Sequence, residues 1–191
     1  MLPKLFFFIN SYDENHIRKL PKKVAIIFRN YQTKYDEDLI LKIKTDCRKQ
    51  GRKFFLSNNL KLAKKLDLDG AYFPSFNNNL NFNKNNFKKK FIIIGSAHSI
   101  KEIKTKEQQG VKLIFLSPIF TINKSKKFLG PIRFNLLAAK TNVRVIALGG
   151  INQLNIKPIF LDGGLIFFDK KGSIIRYNNS QKVEWKKKLL F

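Results

Sequence analysis

Cysteine is nearly absent from the chain: Cys47 is the single one in 191 residues. That excludes an internal disulfide framework and any metal site built from several thiolates. Cys47 lies between Asp46 and Arg48 in a stretch of helical periodicity, where an inert helix residue is expected rather than a nucleophile. Acid is scarce as well, with 13 Asp and Glu against 38 Lys and Arg and a formal net charge of +25. Long apolar runs are missing: the longest, such as Leu5 to Ile9 and Phe91 to Ile94, fall far short of the ~18 residues that cross a bilayer. The opening MLPKLFFFINSYDEN lacks both the apolar length and the small-residue cleavage site of a signal peptide, so a cytoplasmic protein is expected.

The chain does have a hydrophobic content of 43% and 19 Phe, which is too apolar and aromatic for disorder. Its charge would attract nucleic acid, anionic lipid or phosphorylated small molecules. The lysines are spread over nearly every expected helix, with small clusters at Lys88-Lys89-Lys90 and Lys186-Lys187-Lys188. No recognition module or aromatic-basic interleaving accompanies them, and abundant Asn, Lys, Ile and Phe also arise from compositional drift. Specific nucleic-acid binding and membrane binding are therefore not expected, and a phosphorylated small molecule is the expected partner.

Strand and helix patterns alternate along the chain. Strands are expected at Leu5 to Ile9, Val24 to Phe28, Lys53 to Leu56, Gly70 to Phe73, Phe91 to Ile94, Lys112 to Leu116, Val143 to Leu148 and Leu165 to Phe168. Helices are expected at Asp13 to Leu20, Asp36 to Gln50, Asn59 to Leu66, Ser99 to Gln109, Arg133 to Lys140, Asn152 to Phe160 and Gln181 to Leu190. The asparagine-rich stretch from Phe76 stands where a further helix is due, and its residues favour turns instead. Eight strands with helical crossovers predict a parallel sheet closed into a (β/α)8 TIM barrel, one domain over residues 1–191.

In such a barrel the loops after the strands build the site. The run VRVIALGGI ends in Gly149-Gly150, where bare backbone and a following helix start suit a phosphate, although the same pair would serve a plain turn. Gly163-Gly164 precedes the last expected strand. Arg29 follows the second strand and suits a phosphate. Ser57-Asn58-Asn59 follows the third and suits a helix cap. After the fifth, Ser96 and His98 bring a hydroxyl and an imidazole, while Ser99 and Glu102 read as a capping box. After the sixth, Ser117 to Lys127 forms a hydroxyl-rich basic loop, including Thr121 and Lys124, that reads as a mobile flap or a plain solvated loop.

The order GSAHS, LSPIF with a basic flap closing on Leu129-Gly130, VIALGGI and a second Gly-Gly resembles the thiamine-phosphate synthase / TenI family. The resemblance spans Leu5 to Phe168 and is specific over Ile94 to Ile151. It implies a β/α barrel that joins hydroxymethylpyrimidine pyrophosphate to thiazole phosphate with Mg²⁺, or, in TenI members, aromatises the thiazole phosphate. It also implies a homodimer. By the same resemblance Ser96, His98, Arg29 and Lys124 form the catalytic set around the pyrophosphate. Gly149, Gly150 and Gly164 would cradle the thiazole phosphate, with Asn58, Ser117 and Thr121 as further ligand contacts.

The departures fall on the pyrimidine-pyrophosphate side. Ile27 and Tyr31 flank Arg29 where the family has Gln and Lys. Asn58 stands in place of the Mg²⁺-binding Asp, Tyr72-Phe73-Pro74-Ser75 replaces H-L-G-Q, and the flap's T-x-T-K is blurred into Thr121-Ile122-Asn123-Lys124. The carboxylates that would hold Mg²⁺ are missing, so no metal ligands are assigned. The expected activity is that of a diverged synthase, with a thiazole-phosphate tautomerase or a non-catalytic phosphate-binding barrel as alternatives.

Overall fold

A computed structural model describes residues 2–3, 5–21, 24–32, 35–82, 87–122, 127–151, 166–168 and 174–176, the last two segments as backbone only. The strands are β1 (Leu5–Ile9), β2 (Val24–Phe28), β3 (Phe54–Ser57), β4 (Gly70–Phe73), β5 (Ile92–Ala97), β6 (Leu113–Leu116), β7 (Arg144–Ala147), β8 (Ile166–Phe168) and β9 (Ile174–Arg176). The helices are α1 (Glu14–Lys19), α2 (Glu37–Lys49), α3 (Leu60–Lys65), α4 (Ile100–Gln108) and α5 (Gly130–Ala138).

Strands β1 to β7 form one sheet in sequence order, each pairing parallel with the next. Val24-Ala25-Ile26-Ile27-Phe28 is buried throughout, as expected of a parallel strand covered on both faces. The sheet is strongly curled. In a flat sheet β1 and β6 would stand about 24 Å apart, yet the rings of Phe6 and Phe115 meet edge to face at 5.2 Å. Phe8 likewise reaches Phe115 at 5.6 Å and Tyr72 of β4 at 5.4 Å, so aromatic rings fill the concave side. β8 runs beside β1 and pairs antiparallel with β9.

The helix starts follow local chemistry. Asp13, Asp36, Asn59 and Ser99 each accept a backbone N–H of the following helix, as N-caps do. Residues 76–82 hold no helix: Asn77 and Asn79 accept from the N–H two residues on, at 3.1 and 2.7 Å, which turns the chain repeatedly.

Three expectations are corrected, and one strand is added. The third strand is shifted by one residue, and the fifth runs on through Gly95, Ser96 and Ala97, which continue the ladder with β6. α5 begins at Gly130 rather than Arg133, because Pro131 fits the first turn of a helix. β8 is followed by an antiparallel partner, β9, that the apolar pattern did not announce. The expected helices Asn152 to Phe160 and Gln181 to Leu190 lie outside the described residues. Among the described residues no helix is long and apolar enough to cross a membrane.

Candidate functional site

The carboxyl ends of β1 to β7 lie at one end of the sheet and carry most of the residues singled out from the sequence. Phe8, next to last in β1, forms the floor. Arg29, one residue past β2, sets its guanidinium over the Phe8 ring at 5.0 Å from the centroid. No carboxylate among the described residues pairs with it. On the other side Phe8 meets Tyr72 of β4, whose hydroxyl donates to Ser96 Oγ at 2.8 Å. Burial pushes the Tyr72 phenol up to about 12, so it remains a donor across the physiological range. With its oxygen accepting from Tyr72, Ser96 keeps its own proton for donation. Arg29, Phe8, Tyr72 and Ser96 are thus linked across the end of the sheet.

A second pair of phenols stands at the end of β3. Tyr31 and Ser57 share a hydrogen bond of 2.8 Å between their hydroxyls, and Tyr35 donates to the Ser57 carbonyl at 2.8 Å. Burial raises both phenols, Tyr35 to about 12. Asn58 follows with φ +56°, its N–H bonded to the Tyr72 carbonyl at 2.8 Å. Its side-chain Oδ1 accepts from Asn77 Nδ2 at 2.7 Å. The expected cap on this stretch is met by Asn59 alone, which accepts from Leu62 N at 3.0 Å.

His98 is exposed just past β5. Its Nδ1 lies against the carbonyl of Ser117. A carbonyl only accepts, so Nδ1 carries the proton and Nε2 is left with the lone pair in the neutral ring. Ser99 Oγ accepts from Glu102 N at 3.3 Å, as the expected cap requires, while the Glu102 carboxylate accepts from His98 N at 2.7 Å, one residue before the N-cap. The cap fixes the backbone at His98, and the Ser117 carbonyl fixes the ring.

The double glycine and the flap turn out to be one unit. Gly149 and Gly150 have φ of +93° and +71°. A Cβ on Gly149 would lie 2.9 Å from Pro118 Cβ, and one on Gly150 would lie 2.6 Å from the Phe120 carbonyl oxygen. Only glycine tolerates both the left-handed backbone and that approach. The contact is stitched by Ile119 N to Leu148 O at 3.0 Å and Phe120 N to Gly149 O at 3.1 Å. The far end of the flap returns to the same root, with Leu129 N on Pro118 O and Gly130 N on Ile119 O, both at 2.9 Å. The flap is therefore pinned at both ends, with Thr121 exposed beyond the root. Lys124 and Gly164 lie outside the described residues.

Tyr31, Tyr35 and Tyr72 join this end of the sheet as hydrogen-bonding groups that sequence pattern alone did not identify. A signal was present, since Tyr31 and Tyr35 stand three and seven residues past β2 and Tyr72 lies at the end of β4. Cys47, by contrast, is fully buried away from this end, and burial pushes its thiol up to about 12, an inert residue as expected.

A hard divalent cation takes carboxylate and carbonyl oxygens. Among the described residues no three His, Cys, Asp or Glu side chains come together. At the end of β3 the side-chain oxygen of Asn58 already accepts from Asn77, and its neighbours are phenols and hydroxyls. These donors do not fit Mg²⁺; they fit the oxygens of an anion.

Comparison with known proteins gives a consistent result. A family model described as thiamine monophosphate synthase matches residues 18–164. The chain is 30% identical over 127 residues to a thiamine-phosphate synthase of Methanocella arvoryzae, covering 64% of this chain and 59% of that protein. It is 26% identical over 149 residues to a thiamine-phosphate synthase of Bacteroides thetaiotaomicron, covering 73% and 70%. In structure it is similar to a thiamine phosphate pyrophosphorylase from Pyrococcus furiosus, with a TM-score of 0.65 and 18% identity over 82% of this chain and 80% of that one, a likeness of fold.

Proposed function

The chain belongs to the thiamine monophosphate synthase family, and from that premise we propose that it joins hydroxymethylpyrimidine pyrophosphate to thiazole phosphate. In this reaction the thiazole nitrogen forms a bond to the pyrimidine methylene carbon. The methylene–oxygen bond breaks, and pyrophosphate leaves with the bonding electrons. The transition state gathers negative charge on the departing oxygens, so the protein's task is to place positive charge and donors there. Arg29 supplies the fixed charge, and Ser96 supplies a hydroxyl proton held in place by Tyr72. His98 presents Nε2, which binds a phosphate oxygen when the ring is protonated. Lys124 adds charge from the flap, which closes over the substrates while Ser117 and Thr121 contact them. Gly149, Gly150 and Gly164 receive the thiazole phosphate.

The observation that carries this reading is the linked set Arg29, Phe8, Tyr72 and Ser96 at one end of the curled sheet, with His98 two residues beyond Ser96, in a chain of this family. The barrel is read as closing through β8, which runs beside β1. A single domain, a homodimer and a cytoplasmic location complete the expectation, and the mass in solution reads the dimer. The test is to supply both substrates and measure thiamine phosphate, with Ser96→Ala and His98→Ala beside the wild type. Product that falls at least about tenfold in each variant supports the roles. Absence of product from folded wild type refutes the synthase.

One observation favours a second reading. The end of β3 is neutral, with Asn58, Tyr31 and Ser57 where a pyrophosphate complex would gain from full charges. A thiazole-phosphate tautomerase needs only the phosphate cradle and a proton-transfer group, a part that His98 Nε2 would take. Conversion of the thiazole phosphate tautomer when it is supplied alone distinguishes this activity from the synthase. A barrel that binds phosphate ligands without turnover would give neither product.

A further inference from the structure

A string of side chains runs from the buried face of α4 to the end of β3, and each hydrogen bond in it points the same way. Lys106 is fully buried. Its ammonium has only protons to give, and it donates to the Asn77 carbonyl at 2.6 Å and to Gln109 Oε1 at 3.1 Å. With its oxygen occupied by Lys106, Gln109 must turn Nε2 outward. That nitrogen donates to the Asn77 carbonyl at 3.0 Å, Asn77 Oδ1 at 3.1 Å and the Asn79 carbonyl at 2.9 Å. Asn77 Oδ1 also accepts from the Asn79 backbone N–H at 3.1 Å. Asn77 therefore has only Nδ2 to offer Asn58, and Asn58 meets it with Oδ1 at 2.7 Å. What Asn58 has left is its own Nδ2, a pure donor, on an exposed residue at the end of the sheet. The orientation of three amides is thus set by a lysine that cannot accept.

We infer that Asn58 is an anion-binding donor whose amide N–H groups serve a phosphate oxygen, and that Lys106, Gln109 and Asn77 are positioning residues that fix this polarity. The inference rests on reading the strand ends as a phosphate site. A carboxylate at position 58 would accept from Asn77 with one oxygen and keep the other for a metal ion. The amide has one oxygen, already engaged, so the position that would hold a cation donates to the anion directly.

The test is a titration of the ¹⁵N-labelled full chain with inorganic pyrophosphate, in EDTA and again with excess Mg²⁺. The side-chain amide signals of Asn58 are identified by their loss in Asn58→Asp. In EDTA, pyrophosphate is expected to bind and to shift the Asn58 amide protons, with affinity changed less than about threefold by Mg²⁺. Asn58→Asp is expected to weaken binding at least about tenfold in EDTA, because a donor becomes a charged acceptor. Mg²⁺ should then recover part of that loss. Asn77→Asp, which offers Asn58 an acceptor in place of a donor, is expected to move the Asn58 signals before any ligand is added and to weaken binding similarly. Binding that requires Mg²⁺, or binding that leaves the Asn58 amide unmoved, overturns the inference and leaves the phosphate site standing. Absence of pyrophosphate binding under both conditions overturns both.

Discussion

Replacing Lys106 with methionine should change how the stability of the protein depends on pH. The Lys106 ammonium is buried against neutral acceptors; Glu102 favours its charge, but burial outweighs it and pushes the group from 10.5 down to about 8. Below pH 8 both the folded and the unfolded chain hold the proton, and the folded chain carries the cost of the buried charge. Between about 8 and 10.5 the unfolded chain binds a proton that the folded chain does not, so the wild type becomes more stable as pH rises. Two and a half units at 1.36 kcal/mol each give about 3 kcal/mol in full, of which about 2 to 3 is gained between pH 7 and pH 10. Methionine removes the titration but leaves Gln109 Oε1 without its donor, at a pH-independent cost of about 1–3 kcal/mol. Cys47, Tyr35 and Tyr72, all raised by burial, pull the other way at high pH, but they do so in both proteins and cancel in the difference. Urea unfolding of both proteins at pH 7, 8, 9 and 10 measures the gap. It should move in the wild type's favour by about 2 kcal/mol or more. A gap that stays constant would refute the buried ammonium.

Gly150→Ala places a methyl group 2.6 Å from the Phe120 carbonyl oxygen at a φ of +71°. It should cost about 2 kcal/mol or more in thermal or urea unfolding and raise KM through a displaced flap root. Tyr72→Phe removes the donor to Ser96 and should cost about 1 kcal/mol of stability. Turnover should fall more than stability does, because the serine hydroxyl is then free to rotate; equal turnover in the variant would show that Ser96 needs no holding. Cys47 should resist a thiol-specific reagent in the native protein and react only on unfolding, and rapid native labelling would contradict its burial.

The parallel alternation was legible because most buried strands are short runs rich in Phe, Ile, Leu and Val bounded by polar residues. Asp13, Asp36, Asn59 and Ser99 announced four helix starts by local chemistry. The strand end at β5 was misplaced because Gly95, Ser96 and Ala97 lack the bulk that marks a strand, although their backbone continues the ladder. Arg29, Ser96 and His98 were legible as polar groups at or just past the carboxyl ends of strands. The role of Gly149 and Gly150 was only partly so. Their need for glycine comes from a loop more than 25 residues earlier, and no local pattern carries that contact. The Lys106 string was hidden for the same reason: three amides and a lysine become a directed set only when α4 packs beneath the β4 loop. In hindsight, Lys106 and Gln109 at intervals of three from buried Ile103 put polar groups on an apolar helix face, which was the available signal.

Supplying hydroxymethylpyrimidine pyrophosphate and thiazole phosphate to the purified chain and measuring both products is the decisive test of the synthase activity. Thiamine phosphate and pyrophosphate should appear in equal amounts, with both lost together in His98→Ala. Pyrophosphate released without thiamine phosphate, or neither product from a protein whose folding is verified in the same sample, would contradict it.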